Sequence, residues 1–199
     1  MTAALFLAGA LVAVTLLVLL VLSLVAPQYR VWPTPGDGSW QGYLWWPLFR
    51  GLNLLCFAVA IADWPGGALG LPVAVRILAG VLLATSIAAF VYAFQVLGRD
   101  NSYCAQDGLV TSGIYRWTRN PQNAMLIVVY GCLAFAADSG PAYVLCAAMM
   151  AVYALMVVAE EPWLAAAYGE PYRRYCQSVP RFFHWRRAIV AARAVVRRT

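Results

Sequence analysis

From Leu5 to Val25 the chain carries no charged residue, and about 20 apolar residues are what an α-helix needs to cross the hydrocarbon core of a bilayer. No basic segment precedes this run, and it outlasts the apolar core of about 7–15 residues found in a signal peptide, so a membrane span is expected there. Further apolar runs at 46–63, 72–97, 122–137 and 141–159 are separated by Pro, Gly or charged residues. With the first run, taken as 4–26, they predict five spans. At 63% hydrophobic and 11% charged residues, the chain is far from the roughly 25% charged composition of a soluble domain. The fold class expected is therefore all-α: a polytopic membrane helix bundle.

The fourth run is short, begins at Asn120-Pro121 and contains Gly131. A tilted or partly re-entrant element is expected there, which a bilayer tolerates only where the backbone is covered by protein or faces water.

All 14 basic residues are arginines, and their placement reads as topology rather than nucleic-acid binding. Arg30 and Arg50 flank the first loop, Arg99, Arg116 and Arg119 lie in the third, and the arginines from Arg173 onward follow the last span; Arg76 alone lies on the other side. By the positive-inside rule, the first and third loops and the C-terminus should be cytoplasmic. The expected location is an integral membrane protein of a bacterial inner membrane. Trp40, Tyr43, Trp45, Trp46 and Trp64 stand at span ends, as interfacial aromatic belts do. The tail 184–199 alternates apolar residues with arginines and suits a cationic helix on anionic lipid; its His184 reads as interfacial. The five cysteines are scattered and include no C-x-x-C pair, which indicates neither a metal site nor a disulfide framework.

Polar residues gather in two stretches, Gly98–Asn123 and Glu160–Arg181. In the first, an Asp107-Gly108 turn leads to Tyr115, Arg116, Arg119 and the Asn120-Pro121 step. Arginine and asparagine at the mouth of an irregular span suit a carboxylate or phosphate held by charge-assisted hydrogen bonds. In the second, the last span is expected to end at Glu160-Glu161, where the helix dipole disfavours negative charge and a cationic partner is needed. Pro162 should then start a further helix, closed by Gly169 and followed by Tyr172 and Tyr175.

Residues 113–123, G-I-Y-R-W-T-R-N-P-Q-N, and residues 160–181, E-E-P-W-L-A-A-A-Y-G-E-P-Y-R-R-Y-C-Q-S-V-P-R, resemble the two sequence blocks of the membrane methyltransferases that include isoprenylcysteine carboxyl methyltransferases and phospholipid N-methyltransferases. The resemblance covers roughly the C-terminal half. It implies S-adenosylmethionine bound on the cytoplasmic side between the last two spans and the surface segment after them. Tyr115, Arg119, Asn120, Pro121, Gln122, Glu160, Glu161, Tyr172 and Tyr175 are the cofactor-binding positions it implies. Arg119, Asn120 and Glu161 carry over as the catalytic group. Arginine would take the methionyl carboxylate, and a glutamate the amino group or ribose hydroxyls. The chain departs from the family pattern at Asn120, where histidine is commonest, at Asn123, where tyrosine usually stands, and at Met125, where glycine often does.

The domain organisation expected is three N-terminal spans over 1–97, a catalytic core over 98–183 and the cationic tail over 184–199. The function expected is methyl transfer to a lipophilic small-molecule or lipid acceptor that enters laterally from the bilayer, with no metal and no nucleic-acid partner. An NADPH-dependent reductase of the sterol-reductase type and a non-catalytic membrane scaffold remain as alternatives, separated from it by cofactor binding.

Overall fold

A computed structural model describes residues 1–36, 38–102 and 108–182, apart from the side chains of Arg99 and Asp100. The tail 184–199 with His184, and Asp107 of the expected turn, lie outside the described residues. Among those described the fold is all-helical: α1 (Thr2–Val25), a 3-10 turn (Pro27–Tyr29), α2 (Trp40–Ala62), α3 (Val73–Leu97), the one-turn α4 (Arg99–Ser102), a second 3-10 turn (Gly113–Arg116), α5 (Pro121–Ala137) and α6 (Gly140–Ser178). By length and composition α1, α2, α3 and α6 are each long and apolar enough to cross a membrane.

Local chemistry sets the helix ends. Ser39 caps α2 by accepting from the Gly42 amide, and Ser139 caps α6 by accepting from Ala142, each satisfying an N–H that a helix start leaves without a partner. Pro121 opens α5, where its missing N–H costs nothing. α5 ends at Asp138, whose φ of 50° is left-handed.

α6 is the central helix, packed against α5, α1 and α2, while α5 lies between α3 and α6. Leu16, Leu20, Leu52, Val59, Leu145, Met149 and Val152 fill the core they enclose. Large apolar side chains on the outer faces, such as Leu7, Leu11, Leu54 and Ile77, are exposed. In a chain with this many of them, that surface is the part in contact with lipid.

The fourth span is not re-entrant. α5 is an uninterrupted helix of 17 residues, about 25 Å at 1.5 Å per residue. Gln122 near its start donates to Ser102 beyond α3, and Ala136 at its end accepts from Arg76 near the start of α3. α5 thus joins the same two ends of the bundle as α3.

The α2–α3 and α5–α6 connections meet at one end. There the Asp138 carboxylate accepts from the Leu69 and Leu71 amides and the Tyr143 hydroxyl, each at 3.0 Å. Gly66 lies so close that a Cβ on it would come within 2.7 Å of Ser139 Cα. The first and third loops and the end of α6 gather at the opposite end, in the alternation that the arginines predict.

Three expectations need correction. α6 does not stop at Glu160-Glu161. It continues through Pro162, and its one non-helical residue is Gly169, at φ 58° and ψ −133°. Pro162 removes a single backbone hydrogen bond, and the packing on either side holds the helix across that gap. The two glutamates therefore lie inside a helix, and the dipole argument does not apply to them. Trp45 is fully buried in the core and Trp46 lines a cavity, so neither belongs to an interfacial belt, whereas Trp40, Tyr43 and Trp64 are exposed as belt residues are. Arg50 lies within α2 rather than beside the loop.

Candidate functional site

The two polar stretches are stitched together through the backbone. The Arg119 amide donates to Pro180 O at 2.9 Å, the Thr118 hydroxyl donates to Arg181 O at 3.2 Å, and Asn120 Nδ2 donates to the same carbonyl at 3.0 Å. Thr118 is fully buried, so its hydroxyl and its partners hold one geometry. Gly169 makes the return possible: its backbone lies in a region that side chains disfavour, and it turns the last part of α6 back over the bundle. There Tyr172, Tyr175 and Val179 form a small apolar cluster with Leu109, Leu164 and Tyr168. The Tyr175 hydroxyl donates to Tyr115 O at 2.6 Å.

Glu161 is the electrostatic centre of this junction. Its carboxylate accepts from Arg119 Nη2 at 2.7 Å, from Arg181 Nε at 2.9 Å and from Arg181 Nη2 at 2.5 Å. The cationic partner expected for the paired carboxylates is thus supplied to Glu161 by both stretches, and among the described residues Glu160 has no arginine within ion-pair distance. The bidentate bond to Glu161 holds the Arg181 guanidinium above the usual arginine range. Burial, with the neighbouring Tyr175 hydroxyl adding to it, raises the Tyr115 hydroxyl above the usual tyrosine range, so it stays neutral at physiological pH and offers hydrogen bonds rather than a base.

Beside this junction lies a cavity of about 610 Å³, within the roughly 300–1,000 Å³ span of small-molecule sites. Of the positions singled out in the sequence, Tyr115, Arg119, Asn120, Gln122, Glu160, Tyr172 and Tyr175 line it. Pro121 and Glu161 do not: Pro121 is buried at the start of α5, and Glu161 holds Arg119 from behind. Arg119 Nε is buried and has no hydrogen-bond partner among the described residues.

Sequence reasoning missed the part of the wall that comes from the N-terminal half: Trp32 after α1, Trp46, Phe49, Arg50 and Asn53 of α2, and Phe90 and Phe94 of α3. Asn53 gave one readable signal, as an amide inside an apolar run. Its Oδ1 accepts from the Tyr153 hydroxyl at 3.1 Å and from the Tyr130 hydroxyl, and its Nδ2 donates to Phe49 O at 2.7 Å. Trp32 is 2% exposed, with its indole N–H beside the Glu160 carboxylate. Arg181 lay in the second block without a role.

Arginine, glutamate, amide and tyrosine side chains on one wall, against aromatic and aliphatic groups on the other, suit a ligand with a charged polar part and an apolar reacting partner. Residues 74–171 match the phospholipid methyltransferase family, a stretch running from the start of α3 to just beyond Gly169. No curated protein and no solved structure gives a significant match to the chain. Over residues 74–171 the chain is thus similar to the phospholipid methyltransferase family, and its described residues form an all-helical fold with four helices long and apolar enough to cross a membrane.

Proposed function

We propose that the protein transfers a methyl group from S-adenosylmethionine to a lipophilic acceptor at the cytoplasmic face of the membrane. The observation that carries this reading is the lining of the 610 Å³ cavity by seven of the nine residues that the family resemblance singles out. The donor set fits the cofactor. Arg119 offers a guanidinium on the cavity wall, suited to the methionyl carboxylate. Glu160 offers an acceptor for the amino group or ribose hydroxyls. Asn120 and Gln122 add amide donors and acceptors at the start of α5, and Tyr115, Tyr172 and Tyr175 give aromatic walls. Glu161 acts one step back, by fixing the Arg119 rotamer.

When bound, the cofactor supplies an electrophilic methyl on sulfur, whose departure leaves a neutral thioether. The protein's part is then to align and to exclude water. The folded-back helix after Gly169 covers the polar side of the cavity, and Phe90, Phe94 and Leu126 keep the other side dry. The arginine-rich ends of the bundle argue that this side is cytoplasmic.

Ultraviolet crosslinking of methyl-labelled S-adenosylmethionine to the detergent-purified protein, followed by peptide mapping, tests the reading. Label competed by S-adenosylhomocysteine should fall on peptides spanning 108–123 or 160–182. Label confined to α1 or to the Asp138 end would refute the assignment.

A further inference from the structure

α2 is the least apolar of the four long helices, with a mean hydropathy of 1.5 against 2.2 to 3.0 for the others. Trp46, Phe49, Arg50 and Asn53 follow the spacing of a single helix face and line the cavity. Arg50 lies about 15 Å along α2 from its first residue, at 1.5 Å per residue. A guanidinium keeps its proton, and an ionisable side chain within a span turns to a partner or to an aqueous cavity; the Arg50 side chain is exposed where the cavity opens.

Among the described residues, Arg50 makes no ion pair or hydrogen bond, and its guanidinium lies over the Trp46 ring, 5.6 Å from the centroid. Other polar groups of the region differ. Asn53 is committed to Tyr130, Tyr153 and Phe49, and Arg119 and Arg181 share Glu161. Arg50 also borders a second cavity of about 460 Å³, bounded by Gly36, Ser39, Tyr43 and Pro47, so it stands at the junction of two spaces.

The apolar side of the large cavity points to the other part of a ligand. α3 packs along α5, and α2 along α1 and α6, but α2 and α3 do not pack along each other. Phe90 and Phe94 on one helix and Leu54 on the other line the cavity between them, and Leu54 is 73% exposed on the outer surface. An apolar chain can pass there from the cavity to the lipid.

We propose that Arg50 is a specificity-determining residue that binds the oxyanion, phosphate or carboxylate, of an amphiphilic acceptor whose apolar tail leaves between α2 and α3. This rests on the cavity being the acceptor's site, as proposed above. Trp46, Arg50 and Leu54 precede residue 74, so acceptor choice is assigned to the part of the chain outside the family match.

Equilibrium binding to the full chain in neutral detergent tests this with three probes: hexadecyl phosphate, hexadecanol and inorganic phosphate. The wild type should bind hexadecyl phosphate about tenfold or more tighter than either of the others, the scale of one charge-assisted hydrogen bond. Arg50→Gln should abolish that preference and Arg50→Lys should keep part of it, with S-adenosylhomocysteine affinity unchanged in both. Equal binding of hexadecyl phosphate and hexadecanol by the wild type, or an undiminished preference in Arg50→Gln, would overturn the assignment. Inorganic phosphate binding as tightly as hexadecyl phosphate would overturn the amphiphile. If the wild type binds no S-adenosylhomocysteine yet shows an Arg50-dependent preference, the methyl-transfer reading fails and the oxyanion site stands.

Discussion

The Glu161 carboxylate lies 2.7 Å from Arg119 and 2.5 Å from Arg181, two arginines that reach it from either side in the sequence. One precedes α5 and the other follows α6, so a single carboxylate closes the cytoplasm-proposed end of the bundle. Only Arg119 lines the cavity. Glu161 is therefore a positioning residue, and the two positions should behave differently on substitution.

Arg119→Ala is expected to weaken S-adenosylhomocysteine binding by about 10- to 100-fold, the range of charge-assisted hydrogen bonds at roughly 1.5–3 kcal/mol. Methylthioadenosine, which lacks the amino-acid carboxylate, should lose little. Glu161→Gln should shrink the preference for S-adenosylhomocysteine over methylthioadenosine in the same direction but by less. Titration of both ligands against each variant checks this. A parallel loss for the two ligands would mean that the substitutions act only through folding.

Thr118→Val keeps the volume but removes the hydroxyl that donates to Arg181 O and accepts from the Asn120 amide. Leaving those groups unpaired should cost about 1–3 kcal/mol. Hydrogen exchange should then speed up at the Arg119 amide, which is held by Pro180 O, while amides in the middle of α6 stay protected. Unchanged exchange at Arg119 would show that the stitch does not depend on Thr118.

Gly169→Ala tests the fold-back. A Cβ there meets nothing within 4 Å, so the cost is conformational, about 1–3 kcal/mol for a side chain held in a sparsely populated backbone region. The variant should lose ligand affinity with Tyr172 and Tyr175, and limited proteolysis should cut sooner after residue 169. A variant equal to wild type in both respects would deny the turn its role.

At the other end, Asp138 offers a pH test. Burial acts to raise its carboxyl, but the Leu71 and Leu69 amides, the Tyr143 hydroxyl and nearby Arg76 together outweigh burial and hold it below the usual carboxylate range. A depressed carboxyl stabilises the folded state above its unfolded value of about 3.9, and that contribution fades as pH falls through the folded value. Thermal unfolding of the wild type and Asp138→Asn should differ clearly at pH 7 and converge below about pH 4. A difference independent of pH would assign the effect to shape rather than charge.

How far the sequence could be read depended on the range of each interaction. The runs behind α1 and α3 were legible because crossing a bilayer is a demand on composition and length alone. The partnership of the two polar stretches was legible in outline, since isolated carboxylates and arginines near membrane depth must find one another, and Arg119 with Glu161 did. Pro162 misled because a local helix-stop signal was overridden by packing along α6. The Gly169 break was placed correctly because left-handed backbone requirements are local. Arg50, Trp32 and Asn53 were missed because their meeting with α3, α5 and α6 is purely tertiary: nothing within α2 alone separates an arginine lining a cavity from one marking a loop.

Equilibrium binding of S-adenosylmethionine, S-adenosylhomocysteine and NADPH to the full-length protein in detergent is the most direct test of the central claim. Saturable binding of both adenosyl ligands, lost in Arg119→Ala and not displaced by NADPH, is the predicted result. Saturable binding of NADPH with no binding of either adenosyl ligand would contradict it and make the cavity that of a reductase.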